Sequence, residues 1–133
     1  MTAERQLQLL LRALGTFDLL ACGGVLMPDD WMAATHAWLG MGDFPRAPVV
    51  DYLARSASLM YAQHGAVFLF LSTDVRRFRP LIRFMAVVAL LSGGIMLAID
   101  LLARIPLFWT IIEGPGYILL AITVLALCRR VSE

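Results

Sequence analysis

The sequence predicts an all-α membrane protein, with four transmembrane helices in a bundle and a short interfacial helix between helices 1 and 2. Three observations carry this prediction. Of the 133 residues, 60% are hydrophobic and only 16% are charged, and the mean hydropathy of +0.78 exceeds that of soluble domains. The apolar residues form four runs of about 20 residues, enough to cross a hydrocarbon core roughly 30 Å thick. Finally, the arginines collect near the ends of these runs.

We expect one integral membrane domain, residues 1–133, without internal repeats. Its connections are short except for the one between the first two apolar runs. The predicted spans are about 7–27, 49–72, 81–103 and 106–128.

The long connection predicts a short helix at about 30–41. Pro28 starts it, and the aspartates that follow can accept hydrogen bonds from the amides of a first turn. Trp31 and Trp38 share one face of this helix, which is typical of a segment lying among lipid headgroups. Trp109, near the start of the fourth span, is the third expected interfacial anchor.

The arginines predict the orientation, because positive residues in short loops are retained on the cytoplasmic side. The sequence has no lysine, so all 11 basic residues are arginines. Eight fall on one side: Arg5, Arg12, Arg76, Arg77, Arg79, Arg83, Arg129 and Arg130. The opposite side holds Arg46, Arg55 and Arg104. We therefore expect a multi-pass protein of the cell inner (plasma) membrane with both termini cytoplasmic.

Two cysteines lie near the ends of the first and last spans, at opposite membrane faces, so we expect no disulfide between Cys22 and Cys128. The stretch "LLACG" resembles a lipoprotein cleavage site before Cys22. Asp18 argues against cleavage, because a charge interrupts the uncharged region that such signals need. We favour Cys22 as a small residue at a helix contact.

Four polar residues form a predicted mid-membrane contact. Asp18 shares its helix face with small residues and therefore points at a neighbouring helix. Ser58 and Tyr61 lie at about its depth on the second span, so we expect one of their hydroxyls to donate to it. His64 lies deeper, at the edge of the same face. An interhelical contact is the favoured interpretation, and a proton relay is the alternative.

The stretch "IIEGPGY" begins the last apolar run with a carboxylate, two glycines and a proline. Pro115 should kink the helix and direct Glu113 toward the bundle. In two pairs, Asp51 with Arg55 and Asp100 with Arg104, an acidic residue precedes a basic one by four positions. We expect both pairs near the outer surface of the membrane, at the level of Glu113. The predicted outer-leaflet polar pocket thus comprises Asp51, Arg55, Asp100, Arg104 and Glu113. It is either a salt-bridge network between helices or a ligand site.

Other chemistry lacks a signature. The two histidines and two cysteines have no metal-ligand spacing, and the sequence has no nucleophile motif, phosphate loop or dinucleotide fingerprint. We therefore expect no metal, no cofactor and no nucleic-acid partner. Catalytic residues cannot be assigned.

The stretches "YLARSASLMYAQHGA", "DVRRFRPLIRF" and "EGPG", between Tyr52 and Gly116, resemble small, functionally uncharacterised bacterial inner-membrane proteins of the DoxX-like kind. The resemblance implies a four-helix membrane domain and no assigned activity.

Three functional hypotheses follow. The first is a non-enzymatic helical module or a subunit of a membrane assembly, either a homo-oligomer or a larger complex. The small-residue faces motivate it, because they exceed what four short helices need to contact one another. The second is a binding protein or enzyme for a small lipophilic molecule that uses the outer pocket. The third is a proton-coupled transporter formed by oligomerisation, with Asp18 and His64 on the proton path.

Overall fold

A computed structural model describes residues 1–131. Every regular element in this part of the chain is an α-helix, which confirms the predicted all-helical class. The helices are α1 (Ala3–Leu20), α2 (Cys22–Val25), α3 (Asp29–Trp38), α4 (Pro48–Leu71), α5 (Arg79–Ala103) and α6 (Leu107–Arg130).

Three helical segments are long and apolar enough to cross a membrane: Ala3–Val25, Arg79–Ala103 and Leu107–Arg130. They correspond to the first, third and fourth predicted spans. The second predicted span, 49–72, coincides with α4, whose Arg55, Gln63 and His64 lower its hydropathy. A crossing of the membrane by α4 stays a prediction.

The first predicted span is not one continuous helix, because it is interrupted at Ala21. Ala21 N–H donates to the carbonyl of Asp18, and Gly24 N–H donates to the carbonyl of Ala21. These bonds join residues three apart, so the turn is tighter than an α-helical one. Two consecutive glycines just beyond Ala21 make such a change of pitch easy.

The predicted helix at about 30–41 is present as α3, which begins at Asp29 and ends at Trp38. Its two tryptophans are exposed, Trp31 to 68% and Trp38 to 83%. Its position at a membrane interface stays a prediction.

The chain divides into two compact units. One comprises Met1–Leu10 with Leu71–Glu133, and the other is Leu11–Phe70.

In the first unit, α5 and α6 form an antiparallel hairpin. Their buried residues recur at spacings of three, four or seven, which is the pattern of helices that pack along one seam. These residues are Ile82, Ala86, Gly93 and Asp100 on α5, and Thr110, Gly114, Ala121, Val124 and Cys128 on α6.

Glycines set the close approach of these two helices. A β-carbon on Gly114 would lie 2.8 Å from the β-carbon of Leu97, and one on Gly93 would lie 3.0 Å from the carbonyl oxygen of Gly114. The helix α6 runs through Pro115 without ending. Gly114 therefore serves packing against α5, whereas the kink at Pro115 stays a prediction.

The hairpin turns at Arg104, which adopts a left-handed conformation with φ 54° and ends α5. The N–H groups of Arg104 and Ile105 both donate to the carbonyl of Asp100. This arrangement satisfies one of the carbonyls that every helix C-terminus leaves without a partner.

The N-terminal residues belong to the same unit. Leu7 is fully buried, and Gln8 Nε2 donates to the carbonyl of Ser72 at 3.0 Å. Arg76 Nη2 lies 2.7 Å from Glu4 Oε2 in an exposed ion pair. These contacts attach the start of α1 to the connection that precedes α5.

Candidate functional site

In the second unit, α1 and α4 meet through two glycines. A β-carbon on Gly65 would lie 2.6 Å from both the carbonyl oxygen of Gly15 and the amide nitrogen of Leu19. A β-carbon on Gly15 would lie 2.8 Å from the carbonyl oxygen of Gly65. The two backbones are therefore in direct contact, and neither glycine can gain a side chain without a shift of one helix.

This crossing brings Asp18 against His64. The Oδ2 atom of Asp18 lies 3.1 Å from Nδ1 of His64, and the two side chains are 14% and 36% exposed. The sequence predicted that a hydroxyl of Ser58 or Tyr61 donates to Asp18. The structure places the imidazole of His64 against Asp18, and a contact with Tyr61 stays a prediction. Ser58 instead lies against Gly24, where its Oγ occupies the space that a β-carbon would need.

The ring of His64 is also held from its own helix. Its centroid lies 4.2 Å from that of Phe68, one turn later on α4. An imidazole held by one carboxylate and one aromatic ring has a defined orientation, so this contact can stabilise the packing of α1 against α4. A proton relay through Asp18 and His64 stays a prediction.

A second polar group in this unit is organised by Arg55. Its Nε donates to Asp51 Oδ1 at 2.8 Å, as the sequence predicted for this i, i+4 pair. Its Nη1 donates to the carbonyl of Val25 at 2.7 Å, and its Nη2 donates to Asp29 Oδ1 at 2.7 Å. One guanidinium thus connects the end of α2, the start of α3 and the first turns of α4.

In the first unit, Glu113 has a partner on its own helix. Trp109 Nε1 donates to Glu113 Oε2 at 2.6 Å, again at a spacing of four residues. The indole of Trp109, expected to act as an interfacial anchor, therefore orients the carboxylate that was expected to enter the polar pocket.

Asp100 has a buried carboxylate oxygen without a partner. The residue is only 3% exposed, and its Oδ2 is, within residues 1–131, the one buried side-chain nitrogen or oxygen atom that lacks a hydrogen-bond partner. The predicted pair with Arg104 is absent among the described ion pairs. The reason is local: α5 ends at Ala103, so Arg104 lacks the helical geometry that an i, i+4 pair requires.

The five predicted pocket residues are divided between the two units. Asp51 and Arg55 belong to Leu11–Phe70, and Asp100, Arg104 and Glu113 belong to the other unit. Each group is organised by contacts inside its own unit, and the shared outer pocket stays a prediction.

Sequence reasoning missed two partners and one cause. Asp29 was interpreted only as a helix-capping residue, although its position shortly after the end of α2 leaves it within reach of Arg55. Glu4, in the first turn of α1, received no role, yet it pairs with Arg76. The cause of the Asp18–His64 contact, the Gly15–Gly65 crossing, was detectable as a small residue on each of the two faces that carry these polar groups.

Comparisons with known proteins found no matching family model, no similar curated protein and no similar solved structure. The DoxX-like resemblance and the function of the chain therefore stay proposals.

Proposed function

We propose that this chain is a non-enzymatic integral membrane protein that acts as a helical module or as a subunit of a membrane assembly. The observation that carries the proposal is how little of each apolar segment is covered by the chain itself. In the most apolar 18-residue stretch of each segment that can cross a membrane, only 11%, 17% and 22% of the residues are buried by the chain itself. Such surfaces need lipid or other protein around them.

The polar contacts support an architectural role. Arg55 uses three of its nitrogens to connect separate parts of the second unit, and Asp18 and His64 pair across two helices. Polar groups that bind each other hold helices together inside a membrane, where an unpaired charge is expensive.

The full proposal includes α4 as a fourth span. Its 24 residues would extend about 36 Å, which is sufficient to cross. Asp51 and Arg55 neutralise each other near one end of α4, and His64 has Asp18 as its partner, which lowers the cost of placing these groups in a membrane. The arginine distribution supports cytoplasmic termini and an inner-membrane location, as in the DoxX-like proteins that the chain resembles.

The exposed tryptophans support an interfacial position for α3. Trp31 and Trp38 have large apolar rings with a polar N–H, and such rings favour the headgroup layer over either water or hydrocarbon.

The surface of α5 has a small residue at which a partner helix could pack. Gly93 is used inside the hairpin, whereas nothing lies within 4 Å of a β-carbon on Gly94. An exposed glycine allows a second helix to approach closely. This supports a homo-oligomer or a larger complex.

Native mass spectrometry of protein extracted gently from its own membrane tests the proposal. We expect a defined homo-oligomer or a stoichiometric protein partner, which Gly94→Leu should disrupt. The exposed Ala126 on α6 provides a matched control, Ala126→Leu, which should leave the complex intact. A monomer with no protein partner would contradict the assembly proposal.

One observation favours a second candidate, a binding protein or enzyme for a small lipophilic molecule. A buried carboxylate oxygen without a partner, as in Asp100, is costly unless a ligand or water satisfies it. The same experiment separates the candidates: a co-purifying small molecule that is lost in Asp100→Asn or Glu113→Gln would support the binding function and replace the first proposal.

A further inference from the structure

A cavity of about 230 Å³ lies at the end of the α5–α6 hairpin that is remote from its connecting turn. It is lined by Arg79, Arg83, Cys128 and Arg129. Arg79 and Arg83 are one helical turn apart at the start of α5, and Arg129 belongs to the last turn of α6. Three arginines from two helices therefore border one small space.

The orientation of this cluster is partly fixed. Arg79 Nη1 donates to the carbonyl of Val131 at 2.7 Å, so the first turn of α5 is connected to the chain just after α6. Cys128, the fourth lining residue, is only 4% exposed. The cavity is thus bordered by one buried thiol and three arginines.

No carboxylate of residues 1–131 compensates Arg83 or Arg129. The ion pairs formed by Arg46, Arg55, His64 and Arg76 do not include Arg83 or Arg129. Like charges held together repel each other and attract an anion from outside the protein. Guanidinium groups are well suited to phosphate, because their N–H groups form paired, charge-assisted hydrogen bonds to its oxygens.

The size of the cavity restricts the ligand. Sites for whole drug-sized molecules occupy about 300–1,000 Å³, so a space of about 230 Å³ suits a phosphate group better than an entire lipophilic molecule.

We propose that this cavity binds a phosphate group, and that the headgroup of an anionic phospholipid supplies it. Both α5 and α6 are long and apolar enough to cross a membrane, so their ends lie at the level of the headgroups. Basic pockets between helices at that level bind anionic lipid headgroups. The acyl chains would extend along the exposed apolar surface of the hairpin, and the phosphate would occupy the arginine cavity. A free phosphate anion is the other source of the same chemistry.

The test uses the full chain in neutral detergent, titrated with phosphatidylglycerol or phosphatidylcholine and observed by native mass spectrometry. We expect one tightly bound phosphatidylglycerol and weaker binding of phosphatidylcholine. The double variant Arg83→Gln/Arg129→Gln should bind phosphatidylglycerol about tenfold more weakly or worse. The control Arg12→Gln/Arg130→Gln removes the same charge, including a neighbour of Arg129 that does not line the cavity, and should bind within about twofold of the unmodified chain.

Equal weakening in both double variants, or equal binding of the two lipids, would overturn the site, since either result indicates general attraction between charges. Displacement of phosphatidylglycerol by millimolar inorganic phosphate would keep the phosphate chemistry and overturn the lipid as its source.

A measurement on the unmodified chain covers the case in which the double variant does not fold. Photoreactive phosphatidylglycerol should label the peptides that contain Arg79 to Arg83 or Cys128 to Val131. Labelling confined to other peptides would contradict the proposal.

Discussion

Gly15 and Gly65 place two helices in backbone contact, with 2.6 Å between the carbonyl oxygen of Gly15 and the position that a β-carbon on Gly65 would occupy. That contact aligns Asp18 with His64, one residue before Gly65 on α4. The polar pair therefore depends on two residues that have no side chains, and this dependence can be tested.

Gly65→Ala should lower the free energy of unfolding by about 1–3 kcal/mol, because the added methyl group forces the helices apart. Thermal unfolding of the purified protein in detergent measures the change. Gly23→Ala is the matched control, since a β-carbon there meets nothing within 4 Å. It should leave stability unchanged or slightly raised. Equal effects of the two substitutions would contradict the close crossing.

Asp18 and His64 should be energetically coupled. A double-mutant cycle with Asp18→Asn and His64→Phe should give an interaction free energy of about 1 kcal/mol, as is usual for residues in direct contact. Asp30 and Arg46 provide the comparison, because their side chains are 87% and 78% exposed. Their cycle should give a value close to the experimental error. Additive effects of the Asp18 and His64 substitutions would show that their contact contributes nothing.

Arg55→Gln should lower the thermal unfolding temperature, because one substitution removes contacts to Asp51, Asp29 and the carbonyl of Val25. Arg46→Gln removes the same charge from a single exposed pair and should have a much smaller effect. Similar unfolding temperatures for the two variants would mean that the Arg55 contacts do not stabilise the fold.

Asp100→Leu should raise the free energy of unfolding by about 1–3 kcal/mol in a protein that has no ligand, since an unsatisfied buried carboxylate is replaced by an apolar side chain. Asp51→Leu is the opposite case and should destabilise, because it leaves Arg55 without its i, i+4 partner. Chemical or thermal unfolding of both variants measures the difference. A loss of stability in Asp100→Leu would indicate that Asp100 has a partner, such as a bound molecule.

Periodicity and charge predicted the helices well, because both depend on residues that are close in the sequence. The apolar runs predicted four spans, and three of them are helical segments that can cross a membrane. The four-residue spacing of Asp51 and Arg55 predicted their ion pair. The same spacing rule failed for Asp100 and Arg104, since it holds only inside a helix and α5 ends between them.

Contacts between distant residues were harder to predict. Asp18 and His64 are 46 residues apart, and their contact depends on how closely α1 and α4 approach, which a single sequence does not state. In "EGPG" the proline drew attention to a kink, whereas the structure shows that Gly114 packs against Leu97. The sequence alone does not distinguish a glycine that bends a helix from one that allows another helix to approach closely.

The distance along the chain between Asp18 and His64 also has a consequence for biosynthesis. A ribosome that adds about 5–20 residues per second needs roughly 2–9 s to extend the chain by the 46 positions from Asp18 to His64. If the helices enter the membrane in the order in which they are made, the carboxylate of Asp18 arrives before its imidazole exists. In that case the insertion machinery, or water held within it, must stabilise the charge of Asp18 until α4 is inserted.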